Sequence, residues 1–161
     1  MADDSAGSME VQGLAELEQK LGELDNKMAG KALFGALGYA LTPVVKEAKK
    51  RASKADEPHK MTYSSGKTVV VDPGLLKTAI RKRRLPKNEH VGEFANGAVM
   101  GVYVGKGTKQ KVYPRYWFFV EYGTSTQPAT PFIRPAFDNN VELMLSRFSE
   151  KLNENIDKYT E

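Results

Sequence analysis

The sequence predicts an α+β fold, with N-terminal helices and a long C-terminal helix packed on a small, mainly antiparallel sheet. Apolar residues recur at helical spacing at both ends of the chain. The middle instead holds short β-branched and aromatic runs punctuated by Gly, Pro and Asn. With 161 residues, 40% of them hydrophobic, there is material for one core but not two. Residues 1–8 are small and polar and read as a disordered tail, leaving 9–161 as a single domain.

Leu14, Leu17, Leu21, Leu24 and Met28 repeat at helical spacing with acids between them. From Ala29 to Ala52 the pairs Ala32/Leu33, Ala36/Leu37, Ala40/Leu41 and Val44/Val45 form a wide apolar stripe on a long helix. Pro43 removes one hydrogen bond there and is expected to kink it. Gly30, Gly35 and Gly38 each cost up to about 1 kcal/mol in a helix, which close approach of another backbone would justify. Both helices read as core-forming.

Residues 53–73 read as largely exposed loop, with Thr68 to Val71 as a strand inside it. Asp72 is placed to cap a short helix that begins at Pro73 and runs through Ile80. Val91–Phe94 and Ala98–Val104 suit a hairpin around Asn96-Gly97, and residues 105–112 form a basic exposed loop. In Tyr113 to Thr124 aromatic density favours a strand, yet Pro114 and Gly123 bracket a short helix, which is the reading adopted. Pro131 and Pro135 lead into a final helix with Phe137, Val141, Met144, Leu145, Phe148, Leu152 and Ile156 on one face.

The net charge of +4 conceals a division along the chain. Residues 1–25 carry seven acids and one Lys, and residues 138–161 six acids and three bases. The stretch between has 20 bases against seven acids. Its clusters are Lys46, Lys49, Lys50, Arg51 and Lys54; Arg81, Lys82, Arg83, Arg84 and Lys87; and Lys106, Lys109 and Lys111. Such a middle can attract phosphates, can be a set of solvated faces, or can pair with the acidic ends within one chain or between neighbours.

There is no cysteine, which excludes disulfides, thiol nucleophiles and cysteine-based metal sites. His59 and His90 fall in expected loops without ligand spacing, and Asp56 and Glu57 could join His59 at a metal only with ligands from elsewhere. The glycine loop Gly101 to Thr108 lacks the phosphate-loop spacing, and its glycines more simply let a hairpin turn. An enzyme is not expected, nor is a cofactor. Apolar stretches read as shorter than the ~20 residues of a membrane helix, and the start lacks the form of a secretory signal. The expectation is a soluble protein made in a cytoplasm, with no membrane partner.

Val120-Glu121-Tyr122-Gly123-Thr124, then Pro128-Ala129 and Pro131-Phe132-Ile133-Arg134-Pro135-Ala136, resemble the signature of the tail-completion, or neck, proteins of tailed phages, a family of tail components of lambda-like phages. The opening Gly13-Leu14 with Leu17 and Leu21 is similar to the family's leucine helix. Pro73-Gly74-Leu75-Leu76-Lys77-Thr78-Ala79-Ile80 resembles its middle motif. The likeness runs from about Met9 to Leu145. His59 to Asp72 departs from it as an insertion or long loop, and residues 1–8 precede the family's start.

The resemblance implies structural work in the virion neck or tail, after assembly in the host cytoplasm. Such proteins complete the tail so that it joins a DNA-filled head, often as six-fold rings. The implied partners are copies of itself and the tail-terminator, tail-tube or head-closure proteins. A ring's heterologous interface needs two different complementary patches on each subunit. The signature or interface residues are then Glu121, Tyr122, Gly123, Thr124, Pro131, Phe132, Arg134 and Pro135. Glu121 either pairs with Arg134 or, with it, stabilises the turn and the start of the last helix. Phe132 and Ile133 are either an anchor for a neighbour or, as favoured, a plug in the subunit's own core. Lys106, Lys109 and Lys111, on a mobile loop, with Arg81 and Arg83, are candidates for non-specific contact with genomic DNA at an interface or lumen. A basic DNA-binding module is the alternative function; a phosphate-handling enzyme built on Lys106 is a remoter one.

Overall fold

The computed structural model describes residues 13–92 and 97–160. The N-terminal tail, the signal-peptide reading and the Asn96-Gly97 turn lie wholly or partly outside them. The elements are α1 (Leu14–Gly22), α2 (Asn26–Ala40), α3 (Thr42–Arg51), β1 (His59–Thr62), β2 (Thr68–Val71), α4 (Leu75–Ala79), β3 (Ile80–Arg84), β4 (Met100–Val104), α5 (Trp117–Tyr122), α6 (Arg134–Asp138) and α7 (Val141–Thr160). This is the expected α+β class, with the strands in two antiparallel pairs.

The apolar stripe of the N-terminal half is divided between α2 and α3, which meet at Leu41. Pro43 has no N–H for the carbonyl four residues back, and the Thr42 hydroxyl bonds the Gly38 carbonyl at 3.1 Å. α2 starts where the Asp25 carboxylate accepts from the Lys27 N–H at 2.6 Å, separating it from α1. Across α2 and α3, Asn26–Arg51 is long and apolar enough to cross a membrane by length and composition, contrary to the sequence expectation. Here its stripe is spent on the protein interior. Ala32 and Ala36 pack with Leu17, Leu152 and Ile156, joining α1, α2 and α7. Val44 and Ala48 pack with Leu76, Ile80, Val104, Phe132 and Ala136.

The helix glycines divide by role. A Cβ on Gly35 would lie 2.8 Å from the Asn155 amide of α7, whose nitrogen donates to the Ala32 carbonyl at 3.0 Å. Gly38 faces the Met100 side chain, and Gly30 faces open space. The close neighbours are thus side chains rather than another backbone.

Two strands arise where loop or helix was expected. β1 lies in the supposed loop and pairs with β2 from His59↔Val71 to Thr62↔Thr68, burying Met61 under Val71 and Leu75. β3 carries the basic run Arg81–Arg84 and pairs with β4, Ile80 opposite Val104 and Arg84 opposite Met100. The partner of β4 is therefore β3, and Ile80 belongs to a strand rather than to the end of a helix. Nor does Asp72 cap α4 with its side chain. Gly74, at φ 85°, is the N-cap, and the helix begins at Leu75.

The final helical region is also broken, into α6 and α7 at Asn139–Asn140. Glu47 of α3 spans this break, accepting from the Asn139 amide at 2.9 Å, the Arg51 guanidinium at 2.7 Å and the Asn140 amide. The Asn139 hydrogen bond, then Arg51 and Asn140, hold its carboxyl down to about 2 from 4.5. A depressed carboxylate stabilises the fold above its unfolded value and loses that contribution as pH falls through the folded one. Thermal melts from pH 6 downward are therefore expected to show a fall in melting temperature between 4.5 and about 2 that is shallower in Glu47→Gln. Parallel curves for the two proteins would rule out this linkage.

Candidate functional site: the signature turn

The signature residues fold into one locked unit, built from α5 outward. Pro114 is buried, and the Trp117 indole N–H donates to the Tyr113 hydroxyl at 2.6 Å, which sets the entry into α5. Trp117 and Val120 pack on the core, whereas Phe118, Phe119 and Tyr122 are 52%, 55% and 53% exposed. α5 stops at Gly123, as the bracketing glycine predicts. That residue has φ 76° and ψ 179°, and a Cβ there would lie 2.7 Å from the Ala129 nitrogen. The loop then folds on itself. Thr124 Oγ1 accepts from the Gln127 N–H at 3.0 Å, and the Thr130 N–H donates to the Val120 carbonyl at 2.9 Å.

This return path brings the start of α6 against Glu121, which is only 6% exposed. Glu121 Oε2 accepts from the N–H groups of Phe132 at 2.8 Å and Ile133 at 3.0 Å, and Oε1 from that of Arg134 at 3.0 Å. A carboxylate thereby satisfies the N–H of Phe132 just before α6 and those of Ile133 and Arg134, which a helix start leaves without intrahelical partners. No ion pair joins Glu121 to Arg134; the Arg134 guanidinium stands 5.8 Å from the Tyr122 ring centroid instead. Of the two readings of Glu121, the structural turn is the one realised. Phe132 is fully buried in the main core, the favoured reading, while Pro131 is exposed and Pro135 half-buried.

The basic candidates lie on β3 and on the loop after β4, where Arg81 reaches the backbone of Lys106. Arg83 is paired with Glu89 at 2.6 Å and stands over Tyr103, and Arg81 donates to the Lys106 carbonyl at 2.7 Å. Lys106, Lys109 and Lys111 are exposed. Their loop is tied rather than free. The Gln110 side chain donates to the Val70 carbonyl at 2.6 Å and accepts from the Asp72 N–H at 3.1 Å, and Gly107 packs against Leu75. Sequence reasoning missed Gln110, which no motif marks.

An open cleft of about 520 Å³ beside α5 is lined by Lys54, His59, Asp72, Tyr116, Phe119 and Gln127, among others. His59 sits in β1, edge-on to Tyr116 at 5.4 Å, with Nδ1 buried and unbonded. Burial pushes the Tyr116 phenol above its ordinary value, which keeps it neutral. No hydrogen bond links His59 to Asp72. His90 Nε2 lies 3.0 Å from the Leu85 carbonyl. No group of three or more potential metal ligands occurs among the described residues. No family model, curated protein or solved structure matches the chain.

Removing the Glu121 carboxylate strands three N–H groups, so Glu121→Ala is expected to cost at least about 3 kcal/mol in chemical denaturation. Arg134→Ala, which loses only the contact with Tyr122, is expected to cost less than about 1 kcal/mol. Equal losses would mean that an Arg134–Glu121 pair, not the backbone turn, carries the energy. Gly123→Ala is expected to destabilise as well, because both its dihedrals and the Ala129 backbone exclude a side chain. A melting temperature unchanged from that of the wild type would refute this account of the turn.

Proposed function

We propose that this chain is a structural subunit of a tailed-phage neck or tail that completes the tail and helps join it to the head, working by assembly with other virion proteins. One observation carries the reading. The residues that resemble the family signature act as a single unit around Glu121, and that unit holds Phe118, Phe119 and Tyr122 out toward solvent on a braced helix. Exposed aromatics on a rigid element are the usual anchors of protein–protein interfaces. The DNA-binding alternative draws less support, because Arg81 and Arg83 are engaged within the subunit.

Electron microscopy of lysates from a phage lacking this gene tests the proposal. Full heads beside unattached or malformed tails are expected, with infectious particles restored by adding the purified protein. A Phe118→Asp/Phe119→Asp double variant is expected to melt as the wild type does and to fail in that rescue. Intact, infectious particles without the gene would refute the role, and full rescue by the double variant would remove α5 from the interface.

A further inference from the structure

The hairpin of β1 and β2 is a two-stranded sheet whose two outer edges are finished differently. The Tyr63 N–H donates to the Lys67 carbonyl at 2.8 Å, so Tyr63, and with it Met61 and His59, turns its main-chain groups toward β2. Lys60 and Thr62 then turn theirs away, as do Val70 and Thr68 opposite them. The Thr62 and Thr68 hydroxyls, 3.0 Å apart, fit the close spacing of such a pair. On the β2 edge the Gln110 side chain takes up the outward groups, donating to the Val70 carbonyl and accepting from the Asp72 N–H. On the β1 edge the N–H and C=O groups of Lys60 and Thr62 have no partner among the described residues.

That open edge runs beside α5. A cleft of about 360 Å³ is lined there by Met61, Thr62, Tyr63, Arg115, Tyr116 and Phe119, among others. The larger cleft described above shares Tyr116 and Phe119 and reaches His59, at the other end of β1. Alternate side chains of an added strand, about 7 Å apart, would enter the two hollows on either side of these rings. The rim is positive. Lys60 is exposed on the outer face of β1, and Arg115 stands 5.8 Å from the Tyr63 ring centroid. Neither is in an ion pair among the described residues, and the smaller cleft has no carboxylate in its lining. Asp72 and Lys54 line the larger cleft together, while Asp56 and Glu57 line neither.

We propose that the β1 edge binds an extended acidic segment of a partner protein as an added strand, its main chain paired with Lys60 and Thr62. The apolar side chains of that segment lie against Tyr116 and Phe119, and its carboxylates meet Lys60 and Arg115. The outward carbonyls of the edge disfavour a phosphate backbone. A lysine on a short edge strand disfavours pairing with a second, equally basic copy of that edge and favours an acidic strand. The inference does not rest on the phage reading, and its failure would leave the tail-rescue test as it is.

Fluorescence anisotropy on the full chain tests it. The probe is a labelled peptide of about eight residues in which Glu alternates with Val, one central Val being replaced by Phe. Saturable binding is expected, and at least about ten-fold weaker binding when every Glu is replaced by Lys. The acidic peptide with its backbone amides N-methylated keeps every side chain and is expected not to bind. Thr62→Pro removes an N–H that bonds nothing within the subunit. It is expected to melt as the wild type does and to lose at least about ten-fold in affinity. In the complex, amide hydrogen exchange is expected to slow at least about ten-fold at Lys60 and Thr62 and to stay unchanged at Val70. If Thr62→Pro does not fold, the N-methylated peptide and the exchange rates decide. No binding at about 1 mM peptide, equal binding of the acidic and basic peptides, full binding of the N-methylated peptide, unslowed exchange at Lys60 and Thr62, or full affinity in folded Thr62→Pro overturns the proposal. Self-association of the wild type that Thr62→Pro abolishes overturns it in favour of a second copy.

Discussion

Glu121 is a buried carboxyl group in no ion pair among the described residues, and the C-terminal half of the molecule depends on the three backbone N–H groups that surround it. A carboxylate withdrawn from water is costly unless its oxygens are fully engaged. Here they are engaged by the chain's own backbone eleven to thirteen residues onward. That arrangement places Phe132 in the core, directs α6 onto α3 and leaves the outer face of α5 uncommitted. The exposure of Phe118 and Phe119 is therefore a property of a held element, not of a frayed one.

A second constraint runs along α2 and α7. Small residues on α2 allow the two helices to close, and Asn155 fills the space that Gly35 leaves while bonding the Ala32 carbonyl. Close packing by alanines buries little area per residue, so the seam needs further cover from outside. α1 supplies it over one stretch, through Leu17 and its neighbours.

What could be read from the sequence was mostly local. The recurrence of Ala32, Ala36, Ala40, Val44 and Ala48 identified the buried stripe, Pro43 its interruption, and the Pro114–Gly123 bracket α5. What could not be read was set by distant partners. Nothing in His59–Thr62 marks a strand except that Met61 finds Val71 and Leu75. Arg81–Arg84 would pass for a solvated run of charge, and becomes a strand because Met100–Val104 lies beside it. Glu47 gains its role from Asn139 and Asn140, 92 and 93 residues away. At the signature turn the residues pointed to two arrangements of Glu121, and only the path of the intervening loop decides between them.

That loop behaves as a ruler. The Thr130 N–H on the Val120 carbonyl and the Ala129 backbone against Gly123 fix the number of residues between α5 and α6, so the spacing between Glu121 and Phe132 is as constrained as their identities. Exposed polar loops commonly accept insertions at small entropic cost. This one is exposed and polar too, yet a single added residue would move the first turn of α6 out of reach of the carboxylate. Natural variants of this chain should therefore differ freely in the identities of residues 125–128 and hardly at all in their number.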